Sequence, residues 1–163
     1  FSDGAVDKGS ALLAQSLPDK LPARLADLGA GWGYLAAPAL SRSGVKSLDL
    51  IEAEALSLDC ARLNVTDPRV TFHWADATTF TPQTAYDGIV MNPPFHTGRA
   101  AEPQLGRAFI ASAARVLASH GKLWMVANRH LPYEQALRDH FRNVEEIAGS
   151  SAFKVFHATR PIR

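Results

Sequence analysis

The chain has 163 residues, 47% of them hydrophobic and 20% charged, with a formal net charge of +1 and a single cysteine, Cys60. That length and balance suit one domain with a sizeable core and argue against disorder. One cysteine excludes an internal disulfide framework and fits a reducing, cytoplasmic compartment, and no apolar run approaches the roughly 20 residues of a membrane span.

The opening stretch, FSDGAVDKGS, has neither the basic flank nor the apolar run of a signal peptide. It also lacks an initiator Met, so residues 1–163 are expected to form a single domain that is trimmed or part of a longer protein. Downstream, strands and helices alternate. The pattern predicts a helix over 9–16, a strand over 24–28, a helix over 34–41, a strand over 47–51 and a helix over 53–64. Strands follow at 70–74 and 88–91, then a helix at 105–119, a strand at 122–127, a helix at 133–141, and strands at 144–148 and 153–159. Several of these strands are short apolar runs of the kind buried on both faces of a parallel sheet. In the fourth helix, Leu105, Phe109, Ala113, Val116 and Leu117 share a face, and Gly121 stands where a helix should stop. Pro38 predicts a late start or a kink in the second helix. Such alternation implies βαβ crossovers and an α/β, doubly wound, Rossmann-like sheet of about seven strands. The last two strands have no helix between them and should form an antiparallel hairpin.

Charge is uneven along the chain. Residues 1–95 carry 7 Lys/Arg and 11 Asp/Glu, whereas residues 96–163 carry 10 and 5. That contrast suggests a basic face suited to phosphate.

The segment RLADLGAGWG is a strand feeding a glycine-rich turn ahead of a helix, the arrangement of a nucleotide-cofactor site. Gly29, Gly31 and Gly33 let the backbone turn tightly and a ligand approach closely, and the helix N-terminus offers free N–H groups. The window GWGYLA also fits G-x-G-x-x-A, so spacing alone leaves a dinucleotide open. Glu52, ending the second strand, suits ribose hydroxyls with either cofactor. Two carboxylates favour S-adenosylmethionine: Asp27, just before the loop, can face its ammonium, and Asp76, in HWADA, can accept from its adenine amine. The alternative for Asp76 is a helix cap.

The fourth strand runs into VMNPPFHTG, where consecutive prolines force it to stop at Asn92. Beside a methyl donor lying across the strand ends, this motif suits methylation of an exocyclic ring amine, whose lone pair is delocalised. The Asn92 side-chain carbonyl accepts one N–H of that amine and the Pro93 backbone carbonyl the other. Pro93 and Pro94 supply rigidity, since placement within about an ångström matters for rate. Phe95 stacks on a flipped base, an interaction worth roughly 1–3 kcal/mol. The competing account of such a tetrapeptide is a plain turn with Phe95 in the core.

With both motifs in hand, the sequence resembles the amino-group-directed class I methyltransferases. FSDGAVDKGSALL, NPPFHTG, VANRHLPY and AFKVFHATR narrow the resemblance to the catalytic C-terminal domain of the ribosomal RNA guanine-N2 methyltransferases of the small-subunit methyltransferase C type. The resemblance implies that Gly29, Gly31 and Gly33 bind S-adenosylmethionine, that Glu52 holds the ribose, and that Asp76 with Ala77 contacts the adenine. It implies that Asn92 to Phe95 handle the target amine, with Asn92 also beside the cofactor, and that the opening segment, including Asp7, Gly9 and Ser10, folds over the cofactor. The implied partner is ribosomal RNA or a ribosomal subunit. Family members often carry an extra N-terminal domain that helps hold RNA, and these 163 residues resemble the catalytic domain alone.

His96 and Arg99, directly after NPPF, are candidate contacts for phosphate or base. Arg129, His130 and Tyr133, after the fifth strand, are candidate RNA contacts on the rim. No histidine spacing suggests a metal site, and Asp49 reads as exposed at an edge or paired. Other readings keep the chemistry on adenine, protein glutamine or a small amine, or keep the fold as a catalytically silent RNA-docking module. A dinucleotide oxidoreductase would leave NPPF unexplained.

Overall fold

Four short, mostly apolar runs, 25–28, 48–51, 88–91 and 123–127, buried from both sides, set the architecture. The computed structural model describes residues 7–94 and 103–163, with the backbone alone of 96–97 and 100–101. In chain order the elements are α1 (Lys8–Ser16), β1 (Arg24–Leu28), α2 (Ala36–Leu40), β2 (Ser47–Glu52), α3 (Ala55–Asn64), β3 (Val70–Trp74) and β4 (Tyr86–Met91). A two-residue pair, β5 (His96–Thr97) and β6 (Ala100–Ala101), precedes α4 (Pro103–Val116), β7 (Leu117–Asn128), α5 (Glu134–His140), β8 (Phe141–Gly149) and β9 (Phe153–Pro161). The α/β sheet has seven strands in the order β3-β2-β1-β4-β7-β9-β8. The first five pair in parallel, and β9 is antiparallel to both β7 and β8.

Strand and helix boundaries follow from local chemistry. Pro38 does produce a late start: α2 begins at Ala36, which puts the proline in the first turn, where its missing N–H costs nothing. The fourth helix ends at Val116, three residues earlier than expected. Leu117 already belongs to β7, where it pairs with Tyr86. The helices cover both faces of the sheet. Leu28, Ile89, Met91 and Met125 pack beneath α4 and α5. Leu25, Leu48, Leu50, Val90 and Val126 pack beneath α1 and α2.

Asp49 proves to be paired and buried. The Tyr86 hydroxyl donates to its Oδ2 at 2.6 Å, and Arg24 approaches at 3.9 Å. Burial, then the carboxylate beside it, hold the Tyr86 phenol far above its ordinary pKa. Tyr86→Phe leaves a buried carboxylate short of one donor. We expect it to cost about 1–3 kcal/mol of stability, read as a lower urea midpoint with an unchanged m-value.

Candidate functional site

Between β1 and β4 the strand order reverses: the chain builds outward from β1 through β2 to β3, then returns to the other side of β1. Crevices at such switch points, outside the carboxyl ends of the strands, are where open α/β sheets bind ligands. A cleft of about 850 Å³ lies there, with Asp27 and the glycine loop on one wall and Asn92, Pro93 and Pro94 on another. A groove of about 860 Å³, running from the end of α1 past Lys122 to β8, contains none of the residues expected at the site.

The glycine loop is built by backbone geometry. Gly29, Gly31 and Gly33 have φ of 77°, 58° and 94°, a region that side chains with a Cβ rarely occupy. Their surroundings differ. A Cβ on Gly33 would come within 2.9 Å of Val65, and one on Gly29 within 3.0 Å of Phe109, whereas a Cβ on Gly31 would enter open space. Gly29 and Gly31 line the cleft; Gly33 packs against α3 instead. The Gly29 and Ala30 N–H groups donate to the Ile51 carbonyl, and the Gly31 N–H donates to Glu52 Oε1 at 2.8 Å. Glu52 therefore fastens the loop while lining the cleft.

Asp27 is 1% exposed, and neither of its carboxylate oxygens has a hydrogen-bond partner among the described residues. Burial, and secondarily the nearby Glu52 charge, push its carboxyl up to about 8. A buried carboxyl that lines a cleft without a donor calls for a cation from the ligand side. Together with the open space over Gly31, this orphaned group fits an ammonium-bearing cofactor.

Asp76 and Ala77 also line the cleft. Asp76 Oδ1 accepts from the Thr78 N–H at 2.9 Å and the Thr78 hydroxyl at 2.7 Å, so Asp76 caps the turn after β3 as well as facing the cleft.

Asn92 directly follows β4, and its side-chain amide nitrogen donates to Asp7 Oδ2 at 2.8 Å and to Ser10 Oγ at 3.0 Å. Asp7 is the N-cap of α1, and its Oδ1 accepts from the Gly9 N–H. Asp7 and Ser10 line the cleft. Gly9 instead packs on Phe153, which a Cβ there would approach to 3.0 Å.

Arg129, expected to contact RNA, also serves as a structural clip. Its guanidinium donates to the Ser150 and Phe153 carbonyls and to Glu146, tying the end of β7 to the β8–β9 turn. Those bonds engage Nε and Nη2 of a side chain that is still 37% exposed. Tyr133 is also directed inward, 1% exposed, with its hydroxyl over Gly106; His130 remains on the surface. Phe95 and Arg99 lie outside the described residues, as does the side chain of His96. Trp32, Phe109 and Phe153 line the cleft without having been expected there. Trp32 is the one the sequence marks, as the aromatic insert in GAGWG.

Residues 1–157 match the family model of the methyltransferase small domain, and the chain belongs to that family. It is 37% identical over 156 residues to ribosomal RNA small subunit methyltransferase C of Psychromonas ingrahamii, covering 95% of this chain and 45% of that protein. It is 35% identical to the same-named protein of Hahella chejuensis, covering 98% and 47%. Among solved structures it is similar to the T. thermophilus 16S rRNA N2 methyltransferase in complex with AdoMet and guanosine, with a TM-score of 0.82 and 30% identity, covering 98% of this chain and 45% of that one. The chain thus spans about half the length of the curated relatives it matches.

Proposed function

We propose that the chain is the catalytic part of an S-adenosylmethionine-dependent methyltransferase, one domain over 1–163, that modifies the exocyclic N2 amine of a guanine in ribosomal RNA in the cytoplasm. The observation that carries this reading is the meeting, in one cleft, of the orphaned Asp27 carboxyl and the Asn92-Pro93-Pro94 strand end. The likeness to a structure solved with AdoMet and guanosine supports both the cofactor and the base.

The cofactor contributes an electrophilic methyl on a sulfonium that departs as a neutral thioether. Asp27 holds the cofactor's ammonium, Gly31 keeps the wall open, Glu52 meets its ribose, and Asp76 with Ala77 its adenine. Asn92 and the Pro93 carbonyl accept the two N–H bonds of the guanine amine, which localises its lone pair on nitrogen. As the new N–C bond forms, the surplus proton on nitrogen passes to water. Pro93 and Pro94 hold both acceptors in place without a soft backbone torsion, and Phe95 stacks on the base. His96 and Arg99 serve the neighbouring phosphates. A further domain of the same protein helps to hold the RNA, as expected for a chain about half the length of its relatives.

Gly31 provides a test independent of RNA. Gly31→Ala meets no protein atom within 4 Å, so it should lower stability by only about 1 kcal/mol through its positive φ. If the cofactor backbone passes over Gly31, the added methyl weakens binding by at least about tenfold, a change of roughly 1.4 kcal/mol that titration calorimetry resolves. Unchanged affinity would remove Gly31 from the cofactor wall.

A further inference from the structure

The link between α1 and the end of β4 reaches across 85 positions of the chain. Four interactions converge on the Asp7 carboxylate. Oδ1 accepts from the Gly9 N–H at 2.9 Å and the Ser10 N–H at 3.4 Å; Oδ2 accepts from the Ser10 hydroxyl at 3.3 Å and the Asn92 amide at 2.8 Å. Ser10, 6% exposed, gives Asn92 a second acceptor. Leu13 within α1 and Leu17 just past its end are buried in the core, and Gly9 lies against Phe153.

An ionised carboxylate only accepts hydrogen bonds. The amide group facing Asp7 must therefore be the nitrogen of Asn92, which turns the side-chain oxygen the other way. We propose that Asp7, assisted by Ser10, is a positioning residue for the methyl-transfer step: it sets the orientation of the Asn92 amide so that an acceptor, and not a donor, meets the target amine. Asp7 acts on Asn92 and on α1 through both of its oxygens. Its kinetic consequence rests on the function proposed above; its structural consequence does not.

Asp7→Asn separates positioning from helix capping. The new carboxamide oxygen can still cap α1 through the Gly9 N–H. Its NH₂ then opposes the Asn92 NH₂, and two donors cannot share that contact, so the Asn92 amide turns over and offers a donor where an acceptor is needed. We expect kcat for RNA methylation to fall about 100-fold, the scale of a misplaced reacting group, with cofactor Kd within about threefold of wild type and little change in melting temperature. A role in capping alone gives unchanged kcat, which overturns the proposal. So does a loss of cofactor affinity without loss of kcat.

A second readout needs no substrate. In the ¹⁵N spectrum of the wild-type protein, the Asn92 side-chain amide, identified by its disappearance in Asn92→Ser, should exchange slowly with water and lose that protection in Asp7→Asn. If the wild type methylates no RNA, the function proposed above fails while this spectrum still decides the anchoring. Unchanged Asn92 amide protons in Asp7→Asn overturn it. Should Asp7→Asn fold poorly, Ser10→Ala keeps the test open, with a partial loss of protection and a several-fold fall in kcat expected, and no change in either contradicting it.

Discussion

Asn92→Ala should lower the single-turnover rate of methyl transfer by about 10³-fold. Removing one fixed hydrogen-bonding group aimed at developing charge costs about 10²–10³ in rate, and Asn92 supplies one of only two proposed acceptors. Its effect on cofactor binding should be small, because Asp27, Gly31 and Glu52 form a separate wall of the cleft. The helix cap should persist, because Asp7 keeps its bonds to Gly9 and Ser10. The expected pattern is thus a fall in kcat with cofactor Kd nearly unchanged. A variant that retained full rate would separate NPPF from the chemistry.

The second large effect lies at Asp27. Its carboxyl titrates near 8 in the cofactor-free protein, so at neutral pH it is largely protonated and must lose that proton to pair with an ammonium. Cofactor affinity should therefore rise with pH toward about 8, by up to about tenfold per pH unit, and fall again once the cofactor's own ammonium loses its proton. Calorimetry in two buffers of different ionisation enthalpy should register about one proton released per cofactor bound at pH 7. Asp27→Asn should weaken binding by at least about 100-fold, since a buried charge pair loses its anion.

The stability of the free protein carries the opposite sign. Folding raises this acid's pKa, so between pH 3.8 and about 8 the folded state holds more protons than the unfolded state. Stability from this group is present at low pH and drains away as pH rises across that window, by up to about 1.4 kcal/mol per unit. Asp27→Asn should consequently melt above the wild type at pH 8.5, with the gap closing toward pH 4. A variant that melted lower at both pH values would place a donor beside Asp27 that is absent among the described residues.

Much of the sheet was legible because its strands are short, apolar and sharply bounded. β1 and β3 begin and end where the sequence places them, at Arg24–Leu28 and Val70–Trp74. The C-terminal hairpin was readable from the absence of a helix between its strands. Its insertion, with β9 between β7 and β8, was not. Local sequence can specify that two strands pair, but the choice of a further neighbour depends on packing across the whole sheet. The start of β7 was hidden for a related reason: Leu117 continues the apolar stripe of α4, and only its pairing with Tyr86 makes it a strand.

At the candidate site, residues tied to a strand end were legible, because glycines after β1 and prolines after β4 leave a local signature. Partnerships between distant segments were not. Nothing near Asp7 indicates that it meets Asn92, and nothing near Arg129 distinguishes a cation bound for RNA from one bound for backbone carbonyls. Phe109 shows the same limit. As part of a helix stripe it reads as core, yet it packs beside Gly29 and lines the cleft.

The central claim is methyl transfer to a guanine amine in ribosomal RNA. Its most direct test is incubation of the protein with methyl-labelled S-adenosylmethionine and unmodified small ribosomal subunits, followed by digestion of the RNA and nucleoside mass spectrometry. The expected result is label in N2-methylguanosine, absent with Asn92→Ala. Label in another nucleoside, in protein, or equally with Asn92→Ala would contradict it.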